Sequence, residues 1–213
     1  MKQKIDKILF ITGIVMLVSE IWKQYCLTFV VNNGTYDWWY FPFQLCSIPM
    51  YLLICLPLTH KRKVRSIIYT FLMDYSLLCG IFVFFDTSGM FYPYLPLTIH
   101  SFLWHFLLIG LGITAGLSGQ ADYSSCGFWK GSLIFTAGCM VATGFNVIFN
   151  PYGPVNMFYI SPYYNMTQSI FGIIADRIGN AFGILCYISA VLFGAFLFHK
   201  FWDIIRKKTT VPR

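Results

Sequence analysis

Charge is scarce in this chain. Lys, Arg, Asp and Glu supply 11% of 213 residues, whereas a soluble domain of that length carries about 25% to cover its surface. The shortage excludes an ordinary aqueous globule, because most of the surface must face something apolar. Cys-x-x-Cys pairs and zinc-like Cys/His spacings are missing too. The 7 cysteines, an odd number, therefore point to no disulfide framework and no metal site. No Walker or haem signature occurs, so no cofactor is expected. There is no internal repeat, low-complexity tract or flexible linker. Residues 1–213 read as a single domain.

What fills the chain instead is hydrocarbon. Hydrophobic residues make up 57% of it, and the mean hydropathy is +0.65. Apolar stretches of about 20 residues recur, the length needed to cross a bilayer. Six spans are expected, at roughly 8–29, 42–59, 66–85, 96–117, 130–150 and 180–201, with ends uncertain by several residues. Lipid offers no partner to an open backbone group, so each span must be helical. The fold class that follows is an all-α polytopic membrane bundle in the cell membrane. The first span is read as a retained helix rather than a signal peptide. It is long, contains Glu20 and lacks a small-residue cleavage site.

The net charge of +7 raises the question of nucleic acid, and its distribution answers it. Lys2, Lys4 and Lys7 precede the first span. Lys61, Arg62, Lys63 and Arg65 lie between spans two and three, and Lys130 opens span five. Lys200, Arg206, Lys207, Lys208 and Arg213 close the chain. Only Lys23 and Arg177 fall toward the other side. This is the positive-inside bias, which predicts cytoplasmic termini and no nucleic-acid partner. The opposite loops, YDWWYF (36–41), MFYPYL (90–95) and MFYISPYY (157–164), are aromatic, as an interfacial belt requires.

Polar residues inside spans are costly and tend to face the bundle interior or a cavity. Here they are Glu20, Lys23, Asp74, His100 and His105, with Gln44, Cys46, Ser47, Ser101, Thr143 and Asn146. At helical rise, Cys46 and Asn146 lie about 6 Å below the outer end of their spans, His105 and Glu20 about 14 Å, and Asp74 about 16 Å. Most of these polar groups thus fall in the outer half, which points to one shared site. Ser101 and His105 share a helix face, while His100 points elsewhere.

The stretch FPFQLCSIPMYL (41–52) concentrates the oddity. Pro49 inside a helix is expected to free the carbonyl of Leu45, between Gln44 and Cys46. A kinked polar stretch below the surface suits a binding pocket. It also suits a bend whose polar groups only hold helices together.

That stretch, with HSFLWHFLLIG (100–110) and FNVIFNPYGPVNMFYISP (145–162), resembles the YwaF-type bacterial integral membrane proteins. The Pro-apolar-Gln-Leu-Cys turn from Pro42 to Cys46 is the most specific part. The family is similar to a eukaryotic transmembrane acyltransferase acting on ether phospholipids. More distantly it resembles the androgen-induced intramembrane hydrolases of fatty acid esters. The resemblance implies that Cys46 is a nucleophile and His105 its base. Gln44 and Asn146 become candidate oxyanion donors, and Ser47, Ser101, Asn156, Glu20 and Asp74 candidate substrate contacts. Membrane lipid would be both environment and substrate. The competing reading is a non-enzymatic substrate-capture subunit of a micronutrient importer, or a small transporter, in which Cys46 only packs.

Overall fold

The computed structural model describes residues 2–59 and 61–210. Helix α1 (Lys2–Tyr25) runs on into a π-helical turn, Cys26–Val31. A short α2 (Ile48–Cys55) is flanked by single 3-10 turns, Leu45–Ser47 and Leu56–Leu58. Helices α3 (Arg62–Phe71) and α4 (Leu77–Phe82) form one rod joined by a π-helical turn, Leu72–Ser76. Then come α5 (Leu95–Leu117), α6 (Ser125–Phe149), α7 (Ser169–Ile178) and α8 (Asn180–Thr210). Arg213, counted above among the basic residues, lies outside the described residues.

The α3–α4 rod is the axis of the bundle. Its apolar window is 67% buried inside the protein, against 11% for α8. Tyr69, Phe71, Leu72, Met73 and Tyr75 are wholly buried around the π turn. Helix α1 packs on α2, α3 on α6, α4 on α5, and α7 on α8. Glycine sets how closely α4 and α5 approach. A Cβ at Gly112 would lie 2.6 Å from the Cβ of Leu77, and one at Gly80 would lie 2.9 Å from the backbone nitrogen of Ile109. Both contacts are too close for a side chain, so the two helices touch backbone to backbone. Outward-facing positions are apolar, as lipid requires: Ile11, Val15 and Val18 on α1 are exposed while Leu9, Met16 and Glu20 turn inward.

The all-helical, polytopic bundle is as expected, and its spans differ in length. Among the described residues four helices are long and apolar enough to cross a membrane: Arg62–Phe85, Leu95–Leu117, Ser125–Tyr152 and Asn180–Lys208. The second span shrinks to Leu45–Leu58, because residues 41–44 are irregular. The helix α7 has no counterpart in the six spans.

Pro49 is likewise reassigned. It occupies the first turn of α2, where the missing N–H costs nothing. The Leu45 carbonyl is not left free, since the backbone N–H of Ile48 donates to it. What precedes Pro49 is a helix start, not a kink.

Candidate functional site

Cys46 sits in the 3-10 turn just before α2, half-buried and reduced. Its own carbonyl accepts the indole N–H of Trp104 at 3.1 Å. That bond ties the cysteine turn to α5 one residue before His105. The structure thus joins the two segments that carry the thiol and the imidazole.

His105 is buried on α5. Its Nδ1 lies 2.8 Å from the Ser101 carbonyl, one turn earlier on the same face. A carbonyl can only accept, so Nδ1 must carry the proton. The neutral ring then leaves the lone pair on Nε2, which has no partner among the described residues. A histidine held this way is a competent base. His100 is placed differently. Its ring lies between Trp22 and Trp104, with centroids 5.7 and 5.6 Å away.

The two amides named as oxyanion donors are already occupied. Gln44 Nε2 donates to the Asn156 carbonyl at 3.0 Å, and its Oε1 accepts from the Phe158 N–H at 2.7 Å. Asn146 closes a similar pair on Met157, 3.1 Å to the carbonyl and 2.6 Å from the N–H. Together they clamp the loop after α6 against the cysteine turn. The clamp holds an unfavourable backbone: Phe158 and Tyr159 both have φ of 57°, a region that side chains other than glycine seldom adopt. Such strain persists only where its surroundings enforce it. Gly138 belongs to that enforcement, since a Cβ there would meet the Phe158 ring at 2.9 Å.

Asn156 is the exception among the amides. Its Oδ1 accepts from Ser161 N–H at 2.9 Å. Its Nδ2 is buried and has no hydrogen-bond partner. A buried donor without an acceptor is uncommon, and here it belongs to the residue whose carbonyl Gln44 holds.

Glu20 closes the α1 side. It is buried and accepts from Lys23 Nζ and from Gln24 Nε2, both at 2.8 Å. Gln24 also reaches the Tyr40 carbonyl at 2.7 Å, which joins α1 to the loop before the cysteine turn. Two loop tyrosines face the same region. Burial pushes the Tyr92 phenol up, and the nearby Tyr40, Cys46 and Glu20 add to it. Burial, with Cys46 and Asp86 adding, pushes Tyr159 up to about 12. Both stay protonated at neutral pH and remain O–H donors. Thr98 fixes Tyr92 by accepting its backbone N–H at 2.9 Å. Ser47 is buried in the cysteine turn, and Thr143 bonds back to the Cys139 carbonyl.

Asp74 does not join this group. It lies in the π turn of the central rod, fully buried, and its Oδ2 is 2.8 Å from Nδ1 of His199 on α8. His199 Nε2 faces the Ser124 carbonyl at 3.0 Å. Asp74 Oδ1 has no partner. Helical rise put Asp74 near the midplane as a candidate substrate contact and gave no sign of His199. The only signal was a histidine inside FLFHKFW, without a spacing to say what it faces. Tyr92, Tyr159 and Trp104 were missed similarly, hidden by their resemblance to belt aromatics.

Among the described residues no group of His, Cys, Asp and Glu is arranged to hold a metal ion. Residues 1–202 match the family model described as the TMEM164 family. No curated protein and no solved structure matches the chain.

Proposed function

The chain belongs to the TMEM164 family of transmembrane proteins, and from that premise we propose that it transfers fatty acyl groups between lipids within the membrane, through a thioester on Cys46. The observation that carries the reading is the open Nε2 of His105 on the helix whose Trp104 is bonded to the Cys46 carbonyl. The resemblance to YwaF-type proteins, and through them to an ether-phospholipid acyltransferase, supplies the reaction class.

The chemistry proceeds in two balanced halves. His105 Nε2 takes the proton from the Cys46 thiol, and the thiolate attacks an ester carbonyl of a lipid. The tetrahedral oxyanion takes the hydrogen bond that Asn156 Nδ2 has to offer. Collapse expels the lipid alkoxide, which takes the proton back from His105, and leaves a Cys46 thioester. A second hydroxyl, from an acceptor lipid, then gives its proton to His105 and attacks the thioester. The ester forms and the thiol is restored. With water as acceptor the same residues hydrolyse the ester. Glu20 and Lys23 keep the α1 wall polar but neutral as a pair. Burial alone disfavours a thiolate, so the His105 proton acceptor is indispensable.

The test is intact-mass analysis of the full chain in nanodiscs of diacyl phospholipid. Wild type gains one acyl mass that maps to Cys46 and is released by hydroxylamine. Cys46→Ala gains none. His105→Ala forms it at least about a thousandfold more slowly, because the pair acts as a unit. An unmodified thiol together with a tightly held small molecule would instead establish the capture-subunit reading.

A further inference from the structure

At the end of the bundle where the basic residues gather, a cavity of about 590 Å³ opens between the start of α3 and the loop joining α5 to α6. Arg62 and Arg65 line it, with Ser66, Gly119, Gln120, Ala121 and Asp122. It lies at the far end of Leu45–Leu58 from Cys46, roughly 20 Å away at helical rise.

One side of the cavity is rigidly built. Arg65 pairs with Asp6, and its Nη1 reaches the Thr59 carbonyl at 3.5 Å. Tyr69 donates to Asp6 at 2.6 Å, and Gln120 Nε2 donates to the Tyr69 hydroxyl at 2.7 Å. Those bonds orient the Arg65 fork and leave it further N–H donors. Asp122 is the carboxylate in the lining, but its Oδ1 is engaged by the Ser124 N–H at 3.1 Å and hydroxyl at 2.7 Å. Arg62 is exposed and makes no ion pair among the described residues. A further guanidinium stands at the rim, since a Cβ on Gly119 would lie 3.0 Å from Nη1 of Arg206.

The local electrostatics are unbalanced in one direction. The first turn of α3 carries Arg62, Lys63 and Arg65, with no acidic residue and no side-chain cap. Cations at the positive end of a helix are unfavourable there. An anion seated in the cavity offsets both the dipole and the crowded cations. Arginine forks suit one anion best, since they grip phosphate oxygens in bidentate fashion.

We propose that this cavity binds a phosphate group, gripped by Arg62 and Arg65, with room beside it for the remainder of a phosphate ester. The inference is independent of the Cys46 chemistry, which lies at the other end of the bundle. The phosphate can belong to an anionic phospholipid of the adjacent leaflet or to a soluble phosphate ester.

The two sources are separated by measuring thermal stability of the full chain in two arms. One arm adds inorganic phosphate or glycerol 3-phosphate to protein in phosphatidylcholine nanodiscs. The other replaces part of that phosphatidylcholine with phosphatidic acid. Wild type should be stabilised in at least one arm, and that arm names the source. Arg62→Gln should weaken the response about tenfold, the loss of one charge-assisted contact. Arg62→Lys, which keeps the charge but not the fork, should fall between. Lys63→Gln removes an equal charge just outside the cavity and should change the response less than about twofold. Equal losses in Arg62→Gln and Lys63→Gln would overturn the proposal in favour of diffuse surface attraction. Absence of stabilisation in both arms would overturn it outright.

Discussion

His105 and His199 are both buried histidines on long apolar helices, and they are used in opposite ways. His105 spends one ring nitrogen on the Ser101 carbonyl and keeps the other open. His199 has both nitrogens engaged, one by Asp74 and one by the Ser124 carbonyl. The first belongs to a region where valences are left over: His105 Nε2, Asn156 Nδ2 and a half-buried thiol. The second belongs to a region where the histidine joins three segments, the π turn, α8 and the start of α6. Burial alone therefore does not mark a reactive residue. An unspent position is no mark by itself either, since Asp74 Oδ1 and both ring nitrogens of His100 are buried without partners; what separates the two histidines is that His105 keeps one ring nitrogen open and His199 keeps none.

The largest expected effect tests that distinction through stability. His199→Ala strips Asp74 of its partner inside the protein and should destabilise the bundle by about 3–5 kcal/mol. His105→Ala loses a single hydrogen bond to a carbonyl and should cost only about 1 kcal/mol. Urea or thermal unfolding in detergent gives both values, and equal losses would abolish the contrast. Asp74→Leu combined with His199→Phe removes both partners and should recover much of the His199→Ala loss.

The next effect concerns the unspent amide. Asn156→Ala should lower the rate of acyl-enzyme formation about a hundredfold, the cost of one oxyanion donor. Its stability should fall by about 1–3 kcal/mol as well, because the buried Ser161 N–H loses the Oδ1 that accepts it, so the rate is read on the folded protein. A normal rate would remove Asn156 from the chemistry.

Gln44→Ala should act more weakly and more locally. It leaves the Phe158 N–H and the Asn156 carbonyl without partners, a loss of about 1–3 kcal/mol. Hydrogen exchange should quicken at residues 155–161 and stay unchanged around His199. Faster exchange in both places would mean the two regions are one cooperative unit.

The smallest effect is a pH dependence at the edge of the outer region. The Ser169 hydroxyl and the Ser88 hydroxyl and N–H hold the Asp86 carboxyl below the usual carboxylate range. A depressed folded pKa adds stability above the unfolded value, about 3.9, and loses it as pH falls through the folded value. Exchange at the start of α7 should therefore quicken below about pH 4 in wild type and be fast at every pH in Asp86→Asn. The Asp74–His199 region should show no such step in that window.

The membrane-spanning character was legible because a charge deficit and long apolar runs admit few other solutions. The bundle's interior was less legible, for identifiable reasons. Span ends followed hydropathy, so Pro42–Gln44 were counted as helix although Gln44 is turned aside to hold Asn156 and Phe158. Pro49 suggested a kink, yet a proline reads the same at a helix start. Cys46 and His105 stood out by residue type and resemblance. That Gln44 and Asn146 are clamps while Asn156 has a free donor depends on a loop more than a hundred residues from Gln44 in sequence. The Asp6–Tyr69–Gln120 bonds of the basic half went unread because Tyr69 counted as apolar. His199 shows the same limit, since no spacing along the chain links it to Asp74 125 residues away.

The brevity of Leu45–Leu58 has a consequence for selectivity. A helix of about 20 Å falls short of a hydrocarbon layer of about 30 Å. Its outer end, where Cys46 sits, is continued by the irregular segment 41–44. On the proposed acyl transfer, a helix this short sets the thiol below the headgroups, level with the glycerol esters of a phospholipid rather than its phosphate or its tail. In that proposal the short helix works as a depth gauge: it would select which bond of a lipid can be met before any side chain recognises the lipid itself.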